Sequence, residues 1–252
     1  MIRGDSPWLL PLFADSLAPR TELMEWLRGF DLILGWRQGK GKVSLEKSHF
    51  FYYQAEMPES ISRFFFRRTV EVLGEDQFAK FSFEECARLP SSRAQKKGHE
   101  LINKAGPKVR FVVVHPGSGG EKKCWAAQNF LEMIERLGQN KVAGALVTGE
   151  AEKRMEALIE KTALPPGWSW LRCPSLVLLS SLLQEADLYL GNDSGITHLA
   201  GACGTEAVAL FRKELVRAWQ PYGLVRLISA PSLEEISIDC VWKTVSRRLH
   251  LS

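Results

Sequence analysis

The chain has 252 residues, 45% of them apolar and 25% charged, with a net charge of +4. No run approaches the ~18–20 continuous apolar residues of a membrane-spanning helix. The positive surplus is spread, with 16 Lys/Arg against 14 Asp/Glu in residues 1–105 and 17 against 15 beyond. Nucleic-acid binders concentrate such charge on one face, so no nucleic-acid partner is expected.

In chain order, MIRGDSPWLLPLFADSL is broken by Asp5, Pro7, Pro11 and Asp15, unlike a secretory signal. A cytoplasmic protein is expected. Thr21–Gly29 reads as a helix, Phe30–Leu34 and His49–Tyr53 as strands, and Glu59–Leu73 as a helix. That helix carries Phe64, Phe65 and Phe66 between arginines. The run suits either an interfacial membrane contact or, the preferred reading, two rings in the core with arginines at the edge. Leu89–Pro107, rich in Ser, Lys and Gly, reads as a linker and divides the chain into domains 1–105 and 106–252.

The second half alternates short apolar runs with helical periods. Arg110–His115, Val142–Thr148, Asp187–Gly191, Ala207–Phe211 and Leu224–Ser229 read as strands. Ala126–Leu137, Ala151–Lys161, Leu176–Glu185, Ile196–Cys203 and Leu233–Leu249 read as helices, and Gly204 as a helix-ending glycine. Strict alternation implies an α/β fold: a parallel sheet with helices on both faces and ligands at the carboxyl ends of its strands. The five cysteines, Cys86, Cys124, Cys173, Cys203 and Cys240, lack zinc spacing and read as buried, reduced thiols. No metal site or cofactor is expected.

Three strand-to-helix turns carry chemistry. In HPGSGGEKKCW, residues 115–125, Gly117, Gly119 and Gly120 leave the backbone free for positive φ and close ligand approach. Ser118 adds a donor, and Lys122 and Lys123 add charge for a phosphate. The order is neither a Walker A loop nor GxGxxG. In GNDSGITHLAGACGT, residues 191–205, Asp193 or Ser194 caps a helix or meets a ligand. Gly195 opens a helix N-terminus that favours phosphate, and a neutral His198 adds a donor in the first turn. In LVTGEAEKR, residues 146–154, Glu150 or Glu152 either accepts ribose hydroxyls or stabilises a helix start.

HPGSG…KxW, VTGEAE, ADLYLGNDSGITHLAGACGT…ALF and WQPYG, in that order over about residues 108–245, resemble glycosyltransferase family 9, the ADP-heptose:lipopolysaccharide heptosyltransferases and their relatives. The resemblance implies a GT-B architecture of two Rossmann-like domains, the N-terminal one shortened or divergent, with the last helix returning toward the first domain. It implies inverting, metal-independent transfer of a heptose-like sugar from a nucleotide-sugar donor to a lipopolysaccharide-core or other glycan acceptor, with peripheral contact at the inner membrane. By motif position Ser118, Gly119 and Lys123 would touch the donor phosphates. Asp193, Ser194, Gly195 and His198 would hold pyrophosphate and sugar, and Glu150 or Glu152 would lie near the nucleoside. Gly4-Asp5 corresponds to the element that supplies the general base, with Asp15 a poorer alternative. Glu206 and Arg212 stand where the family usually has proline and glycine. An inactive nucleotide-sugar-binding homologue and a GT-B-related epimerase are the alternatives.

Overall fold

The computed structural model describes residues 33–38, 48–53, 59–73, 95–104, 106 and 109–251. The chain divides into two compact units, Met1–Ser82 and Phe83–Ser252. In the first, β1 (Ile33–Gln38) and β2 (Ser48–Tyr53) pair in parallel, with Ile33 opposite Ser48 and Gln38 opposite Tyr53. Helix α1 (Ile61–Leu73) follows. The helix expected over Thr21–Gly29 lies outside the described residues, as does the start of the Phe30–Leu34 strand.

Phe64, Phe65 and Phe66 are all half-buried, which corrects the expectation of two rings in and one out. Successive helix residues point about 100° apart, so three in a row cannot share one buried face. Arg67 pairs with Glu59 at 2.5 Å and Glu71 at 2.9 Å, and its guanidinium lies 5.5 Å from the Phe64 ring centre. No described helix is long and apolar enough to cross a membrane.

The second unit begins with α2 (Gln95–Lys104), inside the stretch expected to be linker. Then β3 (Phe111–His115), α3 (Ala127–Gln139), β4 (Ala143–Thr148), α4 (Lys153–Glu160), β5 (Trp168–Arg172) and α5 (Leu176–Glu185) alternate. The chain continues through β6 (Leu188–Asn192), α6 (Gly195–Cys203), β7 (Ala207–Arg212), α7 (Lys213–Trp219), β8 (Val225–Ala230) and α8 (Ile238–Arg248). All six strands are parallel, in the order β5-β4-β3-β6-β7-β8. This is the doubly wound Rossmann order, whose direction reverses between β3 and β6.

Strands β3, β4 and β6 are buried along their whole length, so their runs are apolar without alternation. One sheet face packs on Phe130, Met133 and Leu137 of α3 and Val241 and Val245 of α8. The other packs on Leu179, Leu182 and Leu183 of α5 and Ala200 of α6. Burying each larger side chain contributes about 1.5–3 kcal/mol. Gly204 ends α6 in the left-handed region at φ 80°, in agreement with its place in the sequence.

Strand β5 and helix α7 have no counterpart among the sequence-based expectations. WSWLR is half-exposed and follows Pro165-Pro166, which hides its period. Its Trp168 indole donates to the Val142 carbonyl at 2.8 Å and packs against Gly144. The single helix expected over Leu233–Leu249 is two pieces, a 3₁₀ turn at Leu233–Glu235 and α8. Ser237 separates them by accepting the Cys240 N–H, a helix-starting cap. Cys86 lies outside the described residues, and the other four cysteines differ from the expectation of burial: Cys124 and Cys203 are half-buried, Cys173 and Cys240 exposed. Cys240 lies on the solvent face of α8, and Cys173 sits in a tight turn at φ 44°.

Gly98 of α2 donates its N–H to Ser181 Oγ of α5 at 2.8 Å, and a Cβ on Gly98 would come within 2.5 Å of the Ser181 backbone. Gly98→Ala should therefore destabilise the second unit by about 1–3 kcal/mol, read as a lower urea midpoint. An unchanged midpoint would show that α2 is not packed on α5 as described.

Candidate functional site

The two glycine turns follow β3 and β6, the adjacent strands at the switch point, where an open α/β sheet offers a crevice for ligands. One buried side chain ties the turns together. Asn192 Nδ2 donates to the Pro116 carbonyl at 2.7 Å, and its Oδ1 accepts the Trp125 N–H at 3.1 Å. It thus grips the first turn at both ends. Ser118 adds a third tie, donating its hydroxyl to the Asp193 carbonyl at 2.5 Å. Trp125, fully buried, donates its indole N–H to Ile236 and stacks edge-on against Phe130, fixing the turn's exit in the core.

The turn glycines work differently from expectation. None of Gly117, Gly119, Gly120 and Gly195 has a positive φ; among the described glycines only Gly106, Gly167, Gly204 and Gly223 do. At Gly117 a Cβ would overlap the Glu152 carboxylate as it now stands, so a side chain there would displace Glu152. Gly119, Gly120 and Gly195 face open space, with nothing within 4 Å of where a Cβ would stand. Their lack of a side chain serves access to the turns, not left-handed backbone.

Ser194 is the cap of α6, accepting the Thr197 N–H at 3.3 Å. The N–H groups of Gly195 and Ile196 meet no acceptor among the described residues, so they face the crevice at the positive end of the helix. Asp193 is buried, and its Oδ2 lies 2.8 Å from Lys123 Nζ. That contact is an ion pair without hydrogen-bond alignment, since Oδ2 accepts no aligned hydrogen bond. Lys123 remains about a third exposed, and its ammonium lies 5.7 Å from the Trp219 ring centre. His198, half-buried in the first turn of α6, has its pKa lowered by burial; Asp193 pulls it up and Lys123 pushes it down.

Beneath the turns lies a layer of buried polar groups, among them His115 and Thr197, to which the motifs assign no role. His115, at the end of β3, places Nδ1 3.4 Å from Ser194 Oγ and Nε2 3.8 Å from Glu152 Oε2. Burial pushes its pKa down to about 4, so it is neutral at ordinary pH. Thr197 donates its hydroxyl to the Asn192 carbonyl and lies 3.0 Å from the Tyr189 hydroxyl. Glu152 accepts the Gly149 N–H at 2.6 Å and is only 5% exposed, whereas Glu150 is exposed. The two acids are therefore not equivalent: Glu152 binds its own turn. It also borders, with Gly117, Ser118, Gly120, Cys124 and Met155, a pocket of about 490 Å³.

Glu206 and Arg212 both make ion pairs, Glu206 with Arg248 of α8 and Arg212 with Glu214 in the first turn of α7. Asp5 and Asp15 lie outside the described residues. No group of three or more metal-ligating side chains occurs among the described residues.

Residues 33–236 match glycosyltransferase family 9 (heptosyltransferase). Lipopolysaccharide heptosyltransferase 3 of Escherichia coli is 25% identical over 153 residues, covering 60% of this chain and 44% of the relative. The chain thus spans less than half of that relative's length. A crystal structure of a family 9 glycosyl transferase from Veillonella parvula DSM 2008 superposes with a TM-score of 0.68 at 14% identity, over 91% of this chain and 77% of that one. The E. coli heptosyltransferase WaaC with ADP superposes with a TM-score of 0.53 at 17% identity, over 79% and 59%. The likeness to these structures is one of fold, and it agrees with the α/β GT-B class.

Asn192→Ala would leave the Pro116 carbonyl and the Trp125 N–H buried without partners, and should cost about 2–4 kcal/mol in a denaturant melt. His115 gives a pH signature. The unfolded chain takes its proton near pH 6.5 and the folded chain only near 4. Its contribution is intact above pH 6.5 and is lost as pH falls toward 4, by roughly 3 kcal/mol at the acid end. His115→Gln should flatten that part of the stability profile between pH 7 and pH 4.5. An identical slope in the variant would contradict a buried neutral His115.

Proposed function

This chain belongs to glycosyltransferase family 9, and on that premise we propose that it transfers a heptose-like sugar from a nucleotide sugar, ADP-heptose first, to a lipopolysaccharide-core or related glycan acceptor. The observation that carries the reading is the pair of turns at the switch point. They bring the Lys123 ammonium and the open N-terminus of α6 to one crevice.

A diphosphate placed there meets positive charge from two directions. Asp193 holds the Lys123 ammonium in position by charge, and the lysine's N–H donors can turn to phosphate oxygens. Gly195 and Ile196 present backbone N–H groups, and neutral His198 presents a ring donor. Gly119 allows the phosphates to approach the backbone. Ser118, whose proton is given to the Asp193 carbonyl, shapes the turn and after rotation can donate that proton to a phosphate oxygen. The pocket beside Glu152 and Met155 is of a size for a nucleoside, and Glu150 and Glu152 are the acids at hand for ribose hydroxyls. The name of the WaaC structure, which holds ADP, supports adenosine as the nucleoside.

Cleavage of the sugar–phosphate bond puts negative charge on the leaving diphosphate. Fixed donors and a lysine stabilise that charge as it develops, the role a metal ion fills in other transferases. Attack of the acceptor hydroxyl from the opposite face of the sugar inverts the anomeric carbon. A carboxylate must take the hydroxyl proton, and Asp5 of the Gly4-Asp5 pair is the residue proposed for it. The acceptor side belongs to the first part of the chain. The name of the E. coli relative, a lipopolysaccharide heptosyltransferase, supports a lipopolysaccharide acceptor.

Calorimetry in EDTA should give micromolar binding of ADP and ADP-heptose, weakened at least tenfold by Lys123→Ala or Asp193→Ala. Affinities unchanged in folded variants contradict the donor site. Gly195→Ala should leave stability the same or raise it by up to ~1 kcal/mol, as alanine favours a helix, while weakening ADP binding. With a lipopolysaccharide-core acceptor, Asp5→Asn should abolish transfer but keep ADP affinity. Full activity in that variant removes Asp5 as the base, and transfer that stops in EDTA and returns with Mg²⁺ removes metal independence.

A further inference from the structure

The turns at the carboxyl edge of the second sheet stand in the spatial order of their strands: β4 with Gly149–Glu152, β3 with Gly117–Lys123, β6 with Asp193–His198, then β7 with α7. On the donor-site reading above, the diphosphate lies over β3 and β6 and the nucleoside lies toward β4. The sugar, on the other end of the diphosphate, then extends toward β7. Helix α7 follows β7 without a loop and ends in Trp219.

The contact with Lys123 places the Trp219 ring at that subsite, and burial and packing fix its backbone. Lys123 Nζ lies 5.7 Å from its ring centre, within the range of a cation–π contact, so one indole face is turned toward the phosphate crevice. Trp219 is half-buried. Its backbone is fixed against the helix that receives the phosphate. Ala218 is 1% exposed, and the turn after Trp219 packs directly on α6. A Cβ on Gly201 of α6 would overlap the Tyr222 carbonyl. Gly223, at φ 106°, would place a Cβ 3.0 Å from Gly201 Cα. A left-handed glycine and a bare helix face together hold the turn after Trp219 against α6.

We propose that Trp219 is a specificity-determining residue that carries the donor sugar, the negative face of its indole against the C–H face of a neutral saturated sugar ring. The aromatic quadrupole attracts partially positive C–H groups as it attracts the Lys123 ammonium. The ring adds an apolar wall to a crevice otherwise made of charge and backbone N–H groups, which is how small-ligand sites fix orientation. The inference rests on the proposed direction of the donor across the sheet.

The test is calorimetry with two probes, ADP and ADP-heptose, on the wild type, Trp219→Phe and Trp219→Ala, with thermal melts to confirm folding. In the wild type the sugar should add affinity over ADP alone. Trp219→Ala should reduce that gain about tenfold while the ADP affinity changes less than twofold, and Trp219→Phe should retain most of it. If ADP and ADP-heptose affinities fall together, Trp219 acts through Lys123 and the proposal is overturned. An unchanged gain in Trp219→Ala overturns it as well. Wild-type protein that binds ADP with no added affinity for ADP-heptose overturns this inference alone; wild-type protein that binds neither overturns the donor site with it.

Discussion

The side-chain amide of Asn192 holds the site together. It is fully buried and satisfies two backbone groups, the Pro116 carbonyl and the Trp125 N–H, at the two ends of one glycine turn. Its own backbone carbonyl accepts from Thr197, inside the helix that the second turn begins. A buried amide with a donor and an acceptor in fixed relation can serve a carbonyl and an N–H at once; an apolar residue would leave both unmade, and a carboxylate would present no donor to the carbonyl. The positions of Lys123 and of the N-terminus of α6 relative to each other follow from that clamp. The Rossmann strand order brings the turns side by side, and Asn192 fixes their spacing.

Below the clamp, the polar groups are arranged so that charge is presented only at the mouth. His115 is kept neutral by burial and fills the space between Ser194 and Glu152. Glu152 is spent on the Gly149 amide, and Ser118 on the Asp193 carbonyl. The carboxylate of Asp193, although buried, is compensated by Lys123, whose ammonium reaches the crevice. Removing either partner costs more than the pair contributes, because it leaves a buried or crowded charge behind. A site organised this way needs little rearrangement when a dianionic group arrives, which is the physical content of electrostatic preorganisation.

Much of this is legible from the residues. The apolar runs RFVVVH, AGALVT and ALF mark strands buried on both faces, and the alternation with helical periods is enough for a parallel sheet. NDSG before an apolar helix announces a capped N-terminus, and Ser194 is that cap. The half-exposed WSWLR strand escapes notice because tryptophans at one spacing and polar residues at the other fit no buried pattern. Helix α7 escapes it because seven residues, several charged, carry too little period. The glycine roles are hidden for a simpler reason: a sequence shows that a position lacks a side chain, not whether the space is needed by a ligand, as at Gly119, or by Glu152, as at Gly117. Nor does it show that His115 and Asn192, motif residues without an assigned role, are the ones that join the turns, since that contact spans 67–79 residues of chain. A polar residue closing a strand that is otherwise apolar is the available signal.

The most direct measurement is a crystal structure of the protein soaked with ADP. The diphosphate should lie between Lys123 Nζ and the N–H groups of Gly195 and Ile196, with the adenosine toward Glu152 and Met155. ADP bound elsewhere, such as the groove between Leu131 of α3 and Leu158 of α4, would contradict a donor site at the switch point.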